Sequence, residues 1–293
     1  MNNRLKGVEI AVLGGGNREE VMLHSLAAAD AKIKTLGQPE NKIEGLIIKD
    51  KLSEVIKDAD VIIAPMTGID QRGYLKTTFD NKSVRLTQEF FSQLAPESMF
   101  MIGMAQEEIK NYCQQNDLEL IQLADLDELA ILNSIPTAEG AIQVAMENSD
   151  ITLHGNKSIV LGLGRLGLTQ ARMLEGLGSE TYVAARNPAD RARAKELGMI
   201  PVSFTELKDV ISEMDFIYNT VPALVLNREV LTEVKSEALI IDLASAPGGT
   251  DFTAAEELGI EAILSLGLPG KVAPKTAGEI LGKIVPRLIV DRI

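Results

Sequence analysis

An apolar run, Ile159-Val160-Leu161, leads straight into Gly162-Leu163-Gly164-Arg165-Leu166-Gly167, and a helix-forming stretch from Leu168 to Leu177 follows. Each glycine in such a strand–turn–helix unit has its own physical task. The first makes the tight bend, the second lets the backbone approach a pyrophosphate, and the third lets the helix pack on the strand. The helix start adds free N–H groups and the positive end of the helix dipole, both suited to phosphate. Glycine-rich turns are common on their own; this one lies inside a long alternation of strand and helix patterns, which makes it specific. The stretch predicts a nicotinamide dinucleotide held by Gly162, Gly164, Arg165, Leu166 and Gly167.

The next strand pattern, Glu180 to Ala185, ends in Arg186-Asn187-Pro188, with Arg191 and Arg193 on the following helix. Folds that take NAD usually place a carboxylate at this strand end to accept hydrogen bonds from the adenosine ribose. Here a guanidinium replaces it, and its fork of donors matches a phosphate. NADP is therefore the expected cofactor, with Arg186 and Asn187 beside its 2′-phosphate. The alternative is an Arg186 that is only a solvated loop charge.

Composition narrows the rest. The 293 residues suit one large or two ordinary α/β domains, and 45% hydrophobic with 24% charged residues is typical of a globular chain. A net charge of −13 with no basic stripe argues against a nucleic-acid surface. It also means that an anionic substrate needs a local cluster of cations or helix N-termini. The single Cys113 excludes an internal disulfide and fits a cytoplasmic protein. Met1 to Leu13 does not read as a signal peptide, because Glu9 splits its apolar part, and no run reaches membrane-spanning length.

The fold class expected is α/β, with two doubly wound parallel-sheet domains, the second a Rossmann dinucleotide-binding domain. Strands are predicted at 8–13, 32–36, 46–48, 60–64, 98–102 and 118–122, and again at 158–161, 180–185, 200–202, 215–219, 238–243 and 260–264. In the first half, Gly14-Gly15-Gly16 turns into a helix over 17–30, but the third glycine of the motif is replaced by Glu19. Residues 1–132 are thus read as a substrate or cap domain. Pro136 is expected to open a connecting helix within 133–150, capped by Asn133 or Ser134, because the first helical turn needs no N–H from proline. Residues 151–273 form the dinucleotide-binding domain. A last helix over 274–293, with a kink at Pro286, is expected to pack on the first domain.

Ligands of a doubly wound sheet gather beyond the carboxyl ends of the strands. That rule selects Thr220, Val221, Pro222 and Ala244 as further cofactor contacts. It leaves His154 at the wrong edge and His24 in mid-helix, so neither a histidine-centred proton relay nor a zinc site is expected. Asp251 reads as the cap of the helix starting at Phe252. Lys275 and Thr276, at the start of the last helix, make a candidate anion site, with Lys275 the candidate catalytic residue and Arg18 a second anion contact from the facing domain. The competing reading makes these lysines ordinary solvated charges.

Several segments together resemble the family of dipicolinate synthase A subunits of spore-forming bacteria. They are Asn133-Ser134-Ile135-Pro136-Thr137 with Glu139-Gly140, His154-Gly155, Gly162-Leu163-Gly164-Arg165, Asp242-Leu243-Ala244-Ser245 with Pro247-Gly248-Gly249-Thr250-Asp251-Phe252, and Gly267-Leu268-Pro269-Gly270 with Ala273-Pro274-Lys275-Thr276-Ala277-Gly278. The first half matches in outline, through its first strand, Gly14-Gly15 and Arg18. The resemblance implies an oxidoreductase-like subunit. With a flavoprotein-like B subunit it would convert dihydrodipicolinate, or its hydrated precursor, to dipicolinate in the mother cell of a sporulating bacterium. Two carboxylates on the substrate would need two anion subsites, which Lys275 with Thr276 and Arg18 could supply from opposite walls. The residues themselves leave two alternatives open: an NADP-dependent reductase of the shikimate or 2-hydroxy-acid dehydrogenase type, and a non-catalytic NADP-binding module. A homo-oligomer also stays open.

Overall fold

Short β-branched runs bounded by turn residues build two parallel sheets. The fold is known from a computed structural model that describes residues 4–36, 43–75 and 84–293. The chain divides into two units, Met1–Leu132 with Ala273–Ile293, and Asn133–Val272.

In the first unit, β1 (Glu9–Leu13), β2 (Lys32–Leu36), β3 (Leu46–Ile48), β4 (Val61–Ile63), β5 (Met99–Ile102) and β6 (Glu119–Gln122) form a parallel sheet in the order β3-β2-β1-β4-β5-β6. The period-two alternation of side chains splits each strand between two cores. Ile10, Val12, Val61, Ile63, Met99 and Met101 face one core; Ala11, Leu13, Ile62, Ala64, Phe100 and Ile102 face the other. Among the helices α1 (Asn17–Ala28), α2 (Leu52–Ile56), α3 (Gln88–Phe91) and α4 (Glu107–Gln115), α1 supplies Met22, Leu23 and Leu26 to the first core.

The second unit repeats the plan. Strands β7 (Lys157–Leu161), β8 (Glu180–Ala184), β9 (Ile200–Val202), β10 (Phe216–Asn219), β11 (Leu239–Asp242) and β12 (Glu261–Leu264) lie parallel in the order β12-β11-β10-β7-β8-β9. Counted from the first strand of each unit, both orders read 3-2-1-4-5-6, the doubly wound arrangement expected of a dinucleotide-binding sheet.

The helices outside the sheets correct one sequence-based expectation and bear out another. The connecting helix does not open at Pro136: α5 runs from Asp127 to Glu147 with Pro136 inside it. Asp127 and Glu128 favour the positive helix end, and Leu129 to Leu132 are good helix formers. The proline removes one backbone donor. Beside that gap, the Thr137 hydroxyl donates to the Asn133 carbonyl at 2.7 Å. Ser134, expected as a cap, is instead buried and hydrogen-bonded to Thr169 at 2.7 Å. The segment after β12 contains a short helix, α11 (Leu268–Val272); buried Leu268 anchors it against Gly140, where an added Cβ would lie 3.1 Å from Leu268 Cβ. As expected, α12 (Pro274–Val290) packs on the first unit, where Ile280, Leu281, Ile284, Val285, Leu288 and Ile289 join the core on α1, and Pro286 lies inside it. The second unit's remaining helices are α6 (Arg165–Gly176), α7 (Pro188–Glu196), α8 (Leu207–Val210), α9 (Arg228–Leu231) and α10 (Phe252–Glu257).

Candidate functional site

The turn between β7 and α6 carries the clearest ligand geometry. Gly162 has φ +93°, open to glycine at no cost, and its N–H donates to the Ala184 carbonyl at 2.8 Å. A Cβ on Gly167 would lie 2.1 Å from the Gly162 carbonyl oxygen, so only glycine lets α6 approach β7 this closely. A Cβ on Gly164 would meet nothing within 4 Å, leaving the backbone there open to an incoming group. Gly164 precedes α6 without a capping side chain, and the first turn of α6 contains no acidic residue. A helix start with neither a capping side chain nor an acidic residue fits a phosphate. Arg165 is exposed and Leu166 half-buried on the same turn.

The ends of β10 and β11 brace this turn. The Thr220 hydroxyl donates to the Leu161 carbonyl at 2.7 Å, and its oxygen would sit 2.8 Å from a Cβ on Gly162. Asn219 fixes its own loop by accepting from the Val221 amide at 3.1 Å and donating to Asp242 Oδ1 at 3.1 Å. Asp242 is wholly buried, and its two oxygens also accept from Ala244 N at 2.9 Å, Gly249 N at 3.2 Å and the Thr250 hydroxyl at 2.6 Å. With four donors on one carboxylate, the burial of its charge is compensated. Thr220, half-buried Val221, exposed Pro222 and buried Ala244 are thus held at the carboxyl edge of the sheet. Sequence reasoning selected Ala244 but gave Asp242 no role of its own. Its signal was a carboxylate ending the otherwise apolar run Leu239-Ile240-Ile241, a position that a charge occupies only when paired.

At the end of β8, Arg186 is exposed, and among the described residues its guanidinium has no hydrogen-bond or ion-pair partner. Its neighbours are already engaged. Arg191 Nη1 donates to the Ala185 and Arg186 carbonyls at 2.9 and 2.8 Å, and Arg193 pairs with Glu196 at 2.8 Å. Asn187 Oδ1 accepts from Ala189 N and caps α7.

In the first unit, Arg18 and Lys275 do not come from opposite walls, as the sequence suggested. They lie on α1 and α12 of one unit. A Cβ on Gly278 would meet the Arg18 carbonyl oxygen, and one on Gly282 would meet Ser25, so the two helices run in the same direction. Both N-termini therefore share one end of the pair, with exposed Lys275 and Thr276 about a turn ahead of Gly278. Arg18 is buried, and its Nε donates to Glu19 Oε1 at 3.1 Å.

The remaining candidates lie elsewhere. His154 Nδ1 is 3.0 Å from the Leu177 carbonyl, at the edge of the sheet where its strands begin. His24 lies on α1, beside a cleft of about 480 Å³ lined with Asp30, Ile43 and Glu44. Burial pushes the Cys113 thiol up to about 12, which keeps it protonated. Asp251 caps α10 by accepting from Ala254 N at 2.9 Å. Among the described residues no cluster of His, Cys, Asp or Glu could hold a metal ion, and no helix is long and apolar enough to cross a membrane.

Comparison with known proteins agrees with this geometry. Residues 9–124 match the N-terminal domain of dipicolinate synthase A subunits, and residues 135–248 match the NAD-binding domain of D-isomer specific 2-hydroxyacid dehydrogenases. The chain is 39% identical to the dipicolinate synthase A subunit of Bacillus subtilis (strain 168) over 290 residues, 98% of this chain and 97% of that one. The crystal structure of the dipicolinate synthase A subunit from Bacillus halodurans superimposes with a TM-score of 0.93 at 38% identity, covering 97% of this chain and 98% of that one. A transhydrogenase from Sinorhizobium meliloti, 18% identical with a TM-score of 0.71 and covering 97% of this chain and 94% of that one, shares the fold. With near full-length likeness to dipicolinate synthase A subunits and a matching N-terminal domain, the chain belongs to the family of dipicolinate synthase A subunits.

Proposed function

We propose that this chain is the NADP-binding, oxidoreductase-like subunit of a dipicolinate-forming enzyme. It works with a flavoprotein-like B subunit in the cytoplasm of a sporulating mother cell, on dihydrodipicolinate or its hydrated precursor. The observation that carries the NADP assignment is Arg186, an unpartnered guanidinium at the end of β8, where an NAD-binding fold keeps a ribose-binding carboxylate.

Bound NADP supplies a two-electron hydride acceptor, which suits aromatisation of a dihydropyridine. The chain's own residues do the holding. The Gly162–Gly167 turn and the first N–H groups of α6 receive the pyrophosphate, and Arg186 with Asn187 receives the 2′-phosphate. Thr220, Val221, Pro222 and Ala244 support the nucleotide at the strand ends. Residues 1–132 with α12 serve as the substrate or cap domain. There the Lys275 ammonium, Thr276 and the free N–H groups of α12 hold one substrate carboxylate, and Arg18 holds the other. Because aromatisation makes the substrate a willing hydride donor, a weak proton acceptor suffices.

The decisive test titrates wild type and Arg186→Ala with NADP and NAD. A charge-assisted hydrogen bond to phosphate is worth about 1.5–3 kcal/mol, so NADP binding weakens roughly ten- to a hundredfold and NAD binding changes little. Equal losses for both cofactors would sink the assignment. The same preparation, mixed with dihydrodipicolinate and the B subunit, should form dipicolinate faster than the isolated chain; equal rates refute the partner requirement.

A further inference from the structure

The two glycine turns align residue by residue. Gly14 N donates to the Leu36 carbonyl at 2.8 Å just as Gly162 N donates to the Ala184 carbonyl at 2.8 Å, and Leu13 pairs with Leu36 as Leu161 pairs with Ala184. Counting on from there, Gly16 corresponds to Gly164, Arg18 to Leu166 and Glu19 to Gly167. The residue in place of the packing glycine is a buried carboxylate. Glu19 Oε2 accepts from Gly16 N at 2.8 Å, and Oε1 accepts from Met66 N at 3.1 Å and from Arg18 Nε at 3.1 Å. Gly15, at φ +102°, makes room for it, since a Cβ there would come within 2.8 Å of Glu19 Cγ.

We propose that Glu19 is a built-in anion that closes the first turn to phosphate and positions Arg18 to receive a small carboxylate. Glu19 binds the turn amide that an external phosphate would need, and its charge repels a second phosphate-like group. It also holds the guanidinium by Nε alone. Among the described residues neither Nη atom of Arg18 has a hydrogen-bond partner, although the residue is only 9% exposed. Neither is among the fully enclosed unpaired polar atoms, so both keep an opening to solvent. A planar fork fixed at one nitrogen presents the two others side by side, the geometry of a carboxylate. The ion pair with Glu19 offsets the burial of the guanidinium while leaving those donors free. In naming dipicolinate as the carboxylate, this inference rests on the proposed function; the site itself does not.

The test saturates the second turn with NADP and then titrates dipicolinate, malonate and inorganic pyrophosphate by calorimetry. Arg18→Ala weakens dipicolinate at least tenfold, and Arg18→Lys recovers part of the loss. Glu19→Gln lowers the preference for dipicolinate over pyrophosphate at least tenfold, because the repelling charge is gone. A purely structural Glu19 would leave that preference unmoved. Thermal unfolding of the two conservative variants, Arg18→Lys and Glu19→Gln, checks that the fold survives. Variants with wild-type affinities for all three anions overturn the inference and the Arg18 contact of the proposed function, and leave its NADP and B-subunit assignments standing. A wild type that ignores dipicolinate but binds malonate through Arg18 upholds the carboxylate site and overturns the proposed substrate. A wild type that binds neither overturns both.

Discussion

The β1–α1 and β7–α6 turns share strand order, hydrogen-bond register and a first glycine at positive φ, yet they end in opposite chemistry. The second turn packs its helix directly on the strand through Gly167 and has neither a capping side chain nor an acidic residue at the helix start. The first inserts a carboxylate at the same place, and Glu19 takes the Gly16 amide for itself. Both turns are also tied to the loop after the fourth strand, by different devices. In the second unit the Thr220 hydroxyl reaches back to Leu161; in the first the Glu19 carboxylate reaches forward to Met66. On the reading proposed above, one doubly wound plan yields an anion-receiving turn or an anion-filled turn according to one side chain. Fold alone does not assign a nucleotide site.

Gly167→Glu breaks that comparison most severely. Any Cβ at this position lies 2.1 Å from the Gly162 carbonyl oxygen and 3.2 Å from the Thr220 hydroxyl. The nearest atom is backbone, so relief requires α6 to lift from β7 and the turn to open. The expected result is loss of NADP binding by more than about a hundredfold, together with destabilisation of at least about 3 kcal/mol. Fluorescence titration and thermal unfolding measure the two. A variant that still binds NADP at wild-type strength would show that close packing is not what distinguishes the second turn.

Most of the architecture was legible in the sequence because the strands are short, apolar and bounded by turn formers. Runs such as Lys32–Leu36 and Leu46–Ile48 have one reading in a β/α alternation, and the structure places strands there. The start of α5 was not legible, because proline is both a helix opener and a tolerated interior residue; the choice fell to Leu129, buried in the core of the first unit. At the candidate site, the glycine turn could be read because its residues are adjacent in the chain. Asp242 and Glu19 could not, since their meaning lies in partners brought by other strands, Asn219 and Met66 among them. The shared placement of Arg18 and Lys275 was hidden for the same reason: α12 returns to α1 across most of the chain.

The second contrast concerns what covers each first helix. In the second unit α5 meets α6 through the Ser134–Thr169 hydrogen bond, whereas in the first α12 lies on α1 through glycines. A Cβ on Gly278 would come within 2.5 Å of both the Arg18 carbonyl oxygen and Val21 Cβ. Gly278→Ala gains up to about 1 kcal/mol of helix propensity but forces the helices apart, leaving a net loss of about 1.5 kcal/mol. The control is Gly176→Ala near the end of α6, where a Cβ would meet nothing within 4 Å, and where the same exchange should stabilise. Opposite shifts in the unfolding midpoint are expected. Two shifts of the same sign would mean that backbone contact between α1 and α12 does not limit the first unit.

The smallest effect sharpens the comparison at the strand ends. Asp242 is to the second unit what Glu19 is to the first, a buried carboxylate that gathers backbone amides from separate segments, but it lies behind the loops at the strand ends. Its Oδ2 accepts from Thr250 at 2.6 Å and Gly249 at 3.2 Å, while Oδ1 keeps Asn219 and Ala244. Thr250→Val is nearly isosteric and removes one donor of four, so the carboxylate stays compensated. The expected loss is about 1 kcal/mol, the net worth of an ordinary hydrogen bond, because three donors still compensate the charge. NADP affinity should fall by less than about threefold, because Ala244 and Val221 remain held by Asp242 and Asn219. Chemical denaturation gives the first quantity and titration the second. A tenfold drop in NADP affinity at unchanged stability would place the Thr250 hydroxyl itself against the nucleotide, and would make Asp242 part of the binding surface rather than its support.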